Sequence, residues 1–444
     1  MTFLVFILTI FILVTFHEFG HYLFARIFKV KILEFSIGFG PEICKFKTKS
    51  NIWAIRIIPL GGYVKMLDER SGIVPEKFKN VAFNHKHPLQ KIIIACAGPF
   101  FNILFAFIVF YMLAIYGVQE LKPYVASVNP TIQSVANLEF FDHVMIQKIN
   151  QTNVTSWNEA NLVLANELKK DKNVLFTCVE SNGSSEKIKL DLALLYSHYN
   201  QHLSLEDIGL SPVLLQPVIS YIKPDSSAMK NGLKVGDRIL SMNHIKYSNW
   251  YLFAESIHNS VDKPVLLQIE RESKIMELII TPDTISNYGQ IMASLGVMPT
   301  IDDGIMKKSL YIKRYDWISG LGYAYNTTLH IMKLNYDGII NLINGKMSLK
   351  ELSGPVTIAK AGSLALSSSF NDYAMFLAVI SIGLAFMNLL PIPALDGGHI
   401  LIYLIELVIN KELSYNIQMQ IFKLGFIFII GISLFAIYND LLKI

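Results

Sequence analysis

Phe16-His17-Glu18-Phe19-Gly20-His21 lies inside a run apolar enough to cross a membrane, and the sixteen residues before His17 carry no charge. On a helix, His17 and His21 stand one turn apart on the same face, so two imidazoles can hold one zinc ion. Glu18 sits beside them, close enough to take a proton from a water molecule at that ion. Ionisable residues at bilayer depth are costly, and three within five positions point to a functional site. The plainer alternative is a pair of core histidines satisfied by packing in a buried helix.

Composition agrees with a protein built into the bilayer. Of 444 residues, 52% are hydrophobic and only 17% charged, against about a quarter charged in soluble proteins; the mean hydropathy is +0.40. Four apolar runs are long enough to span: Thr2 to Phe24, Ile92 to Val118, Tyr373 to Leu390 and Ile421 to Tyr438. The first has no basic start and no small-residue cleavage site, and it carries the candidate ligands, so it reads as a retained span and not a signal peptide. The net charge of +4 says little about partners, and no basic aromatic patch suggests nucleic acid. Cys44, Cys96 and Cys178 are odd in number and scattered, which predicts free thiols.

Loop charges predict the orientation. Between Ala25 and Lys91, Lys and Arg outnumber Asp and Glu by more than two to one, which makes this loop cytoplasmic and the N-terminus external. The segment from Gln119 to Asn371 is then outside, and the 397–420 loop inside. Sixteen helical residues span roughly 24 Å, so the histidines lie in the cytoplasmic third of a core about 30 Å thick.

Two histidines and a base leave a catalytic zinc site one protein ligand short. Phe386-Met387-Asn388-Leu389-Leu390-Pro391-Ile392-Pro393-Ala394-Leu395-Asp396-Gly397-Gly398 ends the third span on the same side. Its prolines break the helix and its glycines permit an unusual turn. Backbone of that kind at membrane depth must be packed in protein or line a wet cavity. Asp396 thereby arrives at about the depth of His21 and is the leading third ligand. His399 would close the position that water needs, and stands with Asp68 as a reserve.

These residues resemble the site-2 protease family of intramembrane zinc metalloproteases. The likeness rests on His17-Glu18-x-x-His21 and on Asn388-x-x-Pro391-x-Pro393-x-Leu395-Asp396-Gly397-Gly398. Gly38-Phe39-Gly40-Pro41 and Gly61-Gly62-Tyr63-Val64-Lys65-Met66 look like the family's cytoplasmic membrane-associated hairpin, and Ala97-Gly98-Pro99-Phe100-Phe101-Asn102 like the start of its second span. The likeness covers nearly the whole chain and is closest to the branch with tandem PDZ domains in Gram-negative inner membranes. It implies one Zn2+ per chain on His17, His21 and Asp396, with Glu18 as the catalytic group. Asn388 would hold substrate or the third-span backbone, and Pro391, Pro393, Gly38, Gly40, Gly61 and Gly62 would shape the substrate site.

From the residues alone, Ile43 to Leu60 reads as two extended runs around Lys49-Ser50-Asn51, with Trp53, Ile55 and Ile57 alternating. Such a hairpin could be a plain surface feature or could offer an edge for strand addition; the resemblance favours the second. In the outer segment, Val218 to Ile222 reads as a strand, and Asp225 to Met229 as a capped helix start. With Gly232-Leu233-Lys234-Val235-Gly236-Asp237 they resemble a bacterial PDZ domain. A worn first copy places Val125 to Val128 as a strand and Leu138 to Ile146 where the glycine turn should be. From Pro299 to Leu352 the chain is amphipathic and aromatic, as at a bilayer interface. Leu352-Ser353-Gly354-Pro355 leads into the third span.

The expected fold is a multi-pass α-helical membrane protein with four transmembrane helices, a cytoplasmic membrane-associated β-hairpin and two periplasmic PDZ domains of α+β type. Its segments are 1–24 (first span), 25–91 (cytoplasmic loop with hairpin), 92–118 (second span) and 119–214 and 215–298 (PDZ domains). There follow 299–371 (interfacial region), 372–396 (third span), 397–420 (interfacial segment) and 421–438 (fourth span). The expected function is a zinc-dependent intramembrane endopeptidase, acting second after another protease. Its partners are single-pass transmembrane substrates, membrane lipid and periplasmic peptide or protein ligands of the PDZ domains. An anti-sigma factor of envelope stress and remnant signal peptides are the substrates that the resemblance implies. A non-proteolytic PDZ receptor or scaffold is the alternative, and would show a broken ligand. A metal transporter would spread ionisable residues over several spans, which this chain does not.

Overall fold

Sixteen uncharged, mostly branched or aromatic residues cannot leave their backbone groups unpaired in hydrocarbon, and a helix pairs them all. In the computed structural model this run becomes α1, Thr2–Ile27. The structure describes residues 2–132, 143–180, 182–198, 203–247, 249–287, 290–345 and 354–442. The chain forms two units, one of residues 1–118 and 314–444, the other of residues 119–313.

In the first unit, α1 stops where Lys29 takes a left-handed conformation and Val30 N–H donates back to Ala25 O at 2.8 Å. α2, Pro88–Tyr116, starts with proline in its first turn and Leu89 N–H donating to His87 Nδ1 at 3.3 Å. It ends one residue before Gly117, so Val118 lies beyond the helix expected to include it. α3 is Trp317–Ile343, α4 Pro355–Ser368, α5 Phe370–Leu389, α6 Asp396–Ile409 and α7 Tyr415–Leu442. Among the described residues four helices, α1, α2, α5 and α7, are long and apolar enough to cross a membrane.

Within the segment expected at the interface for its amphipathic, aromatic character, α3 is a 27-residue helix packed along two of those four. Gly320, Ala324 and Thr328 form its buried stripe. Ala324 shares a core with Ala106 and Phe110 of α2 and Ala378 and Ile382 of α5. Small residues at this spacing let helix backbones approach closely, a packing role that a hydropathy average does not register. The segment expected as interfacial at 397–420 contains α6, which buries Ile402, Tyr403 and Glu406 against the unit and exposes Leu401, Leu404 and Val408. Leu352 and Ser353 lie outside the described residues; Gly354 and the start of α4 are capped by Asp440, which accepts from the N–H groups of Gly354, Val356 and Thr357 at 2.9–3.0 Å.

Strands β1, Ile32–Lys47, and β2, Ile52–Met66, make the expected hairpin longer than the run from Ile43 to Leu60. The turn closes with Thr48 N–H donating to Asn51 O at 2.9 Å. The ladder then folds on itself: Phe35 registers with both Trp53 and Val64, and Ile37 with both Ile55 and Gly62. Residues 34–37 therefore lie between 52–55 and 62–65, with 62–65 on the outside. The bend is made at Gly38 and Gly40, both at positive φ, and a Cβ on Gly38 would meet Arg56 O at 2.8 Å.

Among the described residues, the second unit has two larger sheets, of five and six strands, each with its own core, besides two-stranded pairs. In the first half, strands 144–149 and 152–153, helix Trp157–Lys170 and strands 173–179 and 185–191 follow in order. They close over Ile146, Leu164 and Phe176. In the second half, strands 238–242 and 245–246, helix Trp250–His258 and strands 265–271 and 274–280 repeat that order around Ile239, Phe253 and Leu267. The Gly236-Asp237 turn is held by Gly236 N–H donating to Ile219 O at 2.8 Å and by a two-point ion pair from Arg271 to Asp237, both contacts 2.7 Å. Of the stretch expected as the worn turn, residues 138–142 lie outside the described residues.

Candidate active site

Two glycines bring α1 and α2 together. A Cβ on Gly20 would run into Ala97 O, and one on Gly98 into the His21 ring. At this crossing His21 Nδ1 lies 2.8 Å from Ile94 O, and a carbonyl can only accept, so that nitrogen carries the proton. In the neutral ring His21 Nε2 is then the acceptor nitrogen, and it lies 3.2 Å from His17 Nε2.

Asp396 comes from the far end of the chain. α5 ends at Leu389, the prolines carry the chain through a turn with Ala394 at positive φ, and α6 begins at Asp396. A side chain on Gly397 would collide with Leu389 O and Leu390 O, and one on Gly398 with Ile392 O. The two glycines thus let the new helix start tight against the turn, which delivers the carboxylate. Asp396 Oδ2 lies 3.1 Å from His17 Nε2, and Oδ1 lies 3.5 Å from His21 Nε2. One ligating atom from each of the three falls within 4.8 Å of the others, the one such group among the described residues.

These atoms suit a cation. Bare imidazole nitrogens and a carboxylate oxygen are all acceptors, and Asp396 Oδ2 is buried without a hydrogen bond. Two nitrogens and one carboxylate oxygen are the donor set that zinc accepts at catalytic sites, with room left for water. Glu18, buried beside them, is outside the ligating group. Asn388 Nδ2 lies 3.5 Å from His17 Nε2.

The group opens into a cavity of about 860 Å³ whose walls include Glu18, Gly61, Gly62, Asn388 and Asp396. Gly62 packs so closely that a Cβ there would meet Glu18 Cγ at 2.7 Å. Gly38, Gly40, Pro391 and Pro393 are not among its lining residues; the glycines sit at the bend of the hairpin and the prolines in the turn before α6. His399 and Asp68 line it without joining the ligating group. Asp68 is engaged by Arg70 Nε at 2.8 Å; burial raises its pKa, but this guanidinium outweighs it and holds the carboxyl below its ordinary range.

The sequence profile of peptidase family M50 matches residues 5–432. The chain belongs to that family, the site-2 proteases. As an M50 peptidase it is an intramembrane metalloprotease. Similar proteins include a regulator of sigma E protease of Salmonella typhi, 31% identical over 438 residues, 98% of this chain and 97% of that one. RseP of Escherichia coli K12 is 29% identical over the same shares. A candidate zinc metalloprotease of Neisseria meningitidis serogroup A is 33% identical over 448 residues, 100% and 99%.

In the sequence Gly98 and Asn102 figure only as part of the second-span motif, which assigns Asn102 no role and does not foretell the Gly20–Gly98 crossing. Asn102 is fully buried on α2, with its side chain against His17. The signal was a polar residue inside an apolar span, four positions after Gly98.

Proposed function

We propose that this M50 peptidase is a zinc-dependent endopeptidase of the bacterial inner membrane, cutting single-pass membrane proteins within or near their spans. The observation that carries the reading is the meeting of His17, His21 and Asp396 beside Glu18, in a cavity walled by an outer strand. The basic bias of residues 25–91 supports a cytoplasmic hairpin and a periplasmic second unit.

His17 Nε2, His21 Nε2 and an Asp396 oxygen would hold one zinc ion per chain. Bound there, zinc polarises a carbonyl and makes water acidic near neutral pH. Glu18 takes a proton from the attacking water on its carboxylate and later gives it to the departing amine nitrogen. A helical substrate hides its carbonyls in its own hydrogen bonds, so the segment to be cut must be extended. Residues 62–65 use one edge on 34–37, and their cavity side gives an extended segment a ladder to join. Asn388 Nδ2 supplies a hydrogen-bond donor for substrate. The repeated halves of the second unit support tandem PDZ domains that screen bulky substrates, with peptides joining by strand addition. An anti-sigma factor and remnant signal peptides are the proposed substrates, consistent with relatives named for regulating sigma E.

The test is zinc per protein beside cleavage of a model single-span substrate, for His17→Ala, His21→Ala and Asp396→Ala. Both quantities should fall in all three. An Asp396→Ala variant that bound zinc and cut normally would move the third ligand elsewhere, to Asp68 or His399.

A further inference from the structure

One buried polar group beside the histidines has no part in that scheme. Asn102 has no exposed surface, its amide Oδ1 forms no hydrogen bond, and its Nδ2 lies 3.3 Å from His17 Nδ1. Its place on α2 is fixed from α5, where the fully buried Ser381 Oγ–H donates to the Asn102 carbonyl at 2.8 Å. The two ends of an amide have the same shape and exchange by a half-turn. A neutral imidazole that offers its Nε2 lone pair to a metal carries its one proton on Nδ1. For His17 that proton needs an acceptor, and the Asn102 amide is the polar group set against it.

We infer that Asn102, with its amide oxygen turned to His17, accepts the Nδ1–H and is the positioning residue that fixes the tautomer and ring plane of this ligand. His21 obtains the same support from Ile94 O, a backbone atom. Of the two supports, the one at Asn102 is therefore the one that a substitution can remove. The inference rests on the reading of His17 as a zinc ligand.

Zinc affinity of the full-length protein in detergent, measured by competition with a chelator, tests it. Asn102→Leu keeps the volume and removes the acceptor, and should weaken zinc binding by about 10–100-fold. Asn102→Asp keeps an acceptor and should stay close to the parent. In a His17→Ala background, Asn102→Leu should add no further loss, because the residue acts through His17. Thermal unfolding of the metal-free variants separates this from misfolding; if Asn102→Leu does not fold, Asn102→Ser, too short to reach the ring, carries the same expectation. Parent affinity in Asn102→Leu or Asn102→Ser, or an equal loss in Asn102→Asp, would overturn the inference. A His17→Ala variant with parent affinity would instead sink the reading of His17 as a ligand.

Discussion

Glu18 shares a helical turn with two candidate ligands yet keeps its own role, because its carboxylate is outside the group of ligating atoms while its stem rests on Gly62. Glu18→Gln preserves size and leaves no base. It should retain zinc and lower turnover by roughly 10²–10⁴, the usual worth of a positioned proton acceptor; loss of zinc together with turnover would make Glu18 a ligand. A second residue-scale prediction concerns Lys91, a fully buried cation at the start of α2. Its Nζ lies 3.0 Å from Glu412 and 3.8 Å from the buried Glu406. Lys91→Met removes the cation beside Glu406, whose Oε1 still accepts from Leu413 N–H and the Gln418 side-chain amide, and should cost up to about 3–5 kcal/mol. Adding Glu406→Gln should recover part of that cost in unfolding measurements. His17, Glu18 and His21 are legible in sequence because their chemistry needs only helical spacing. Lys91 and Glu406 are more than three hundred positions apart, and nothing local says that they meet.

At the scale of elements, the outer strand of the hairpin stands against α1 only because Gly62 has no side chain. A Cβ there would meet Glu18 Cγ at 2.7 Å, Ser36 O at 2.8 Å and Val14 Cγ1 at 3.0 Å. Two of these belong to α1 and one to the neighbouring strand, so a larger residue must push the strand away from the site. Gly62→Val should leave zinc content unchanged and reduce cleavage at least tenfold, as expected when a positioning element moves by about an ångström. Parent-like cleavage by that variant would remove this strand from the substrate scheme. Hairpin alternation is a local pattern, and so the hairpin could be expected. Its second fold, with 34–37 paired on both sides, depends on the bend at Gly38 and Gly40. For α3, amphipathic and aromatic residues suggested an interface; which face packs was set by the buried Gly320-Ala324-Thr328 stripe.

The molecule as a whole keeps its candidate site apart from its second unit, since every candidate ligating atom and Glu18 belong to the first. Lys122 N–H donates to Ser309 O at 2.8 Å, so a two-residue turn can join these positions after residues 123–308 are removed. Such a protein should bind zinc, cleave a substrate with a short external domain and gain activity on a bulky one. Complete loss of cleavage in a folded, zinc-binding deletion would make the second unit part of the catalytic machinery. Cysteines introduced at Lys79 and Asn231 of intact cells test the proposed orientation. An impermeant reagent should reach position 231 and not position 79, and the reverse would invert the molecule. The sequence by itself determined that the chain has four apolar spans, that a His-x-x-x-His pair with an adjacent acid lies in the first, and that a segment of about 250 residues lies between the second and third. Each follows from composition or from a spacing within one element. Only the tertiary structure decided that Asp396 meets the histidines, that Asn102 stands behind one of them, and that Gly20, Gly62 and Gly98 are the close approaches that make room. Those facts depend on backbones crossing within a few ångströms, and a linear pattern carries no record of which surfaces touch.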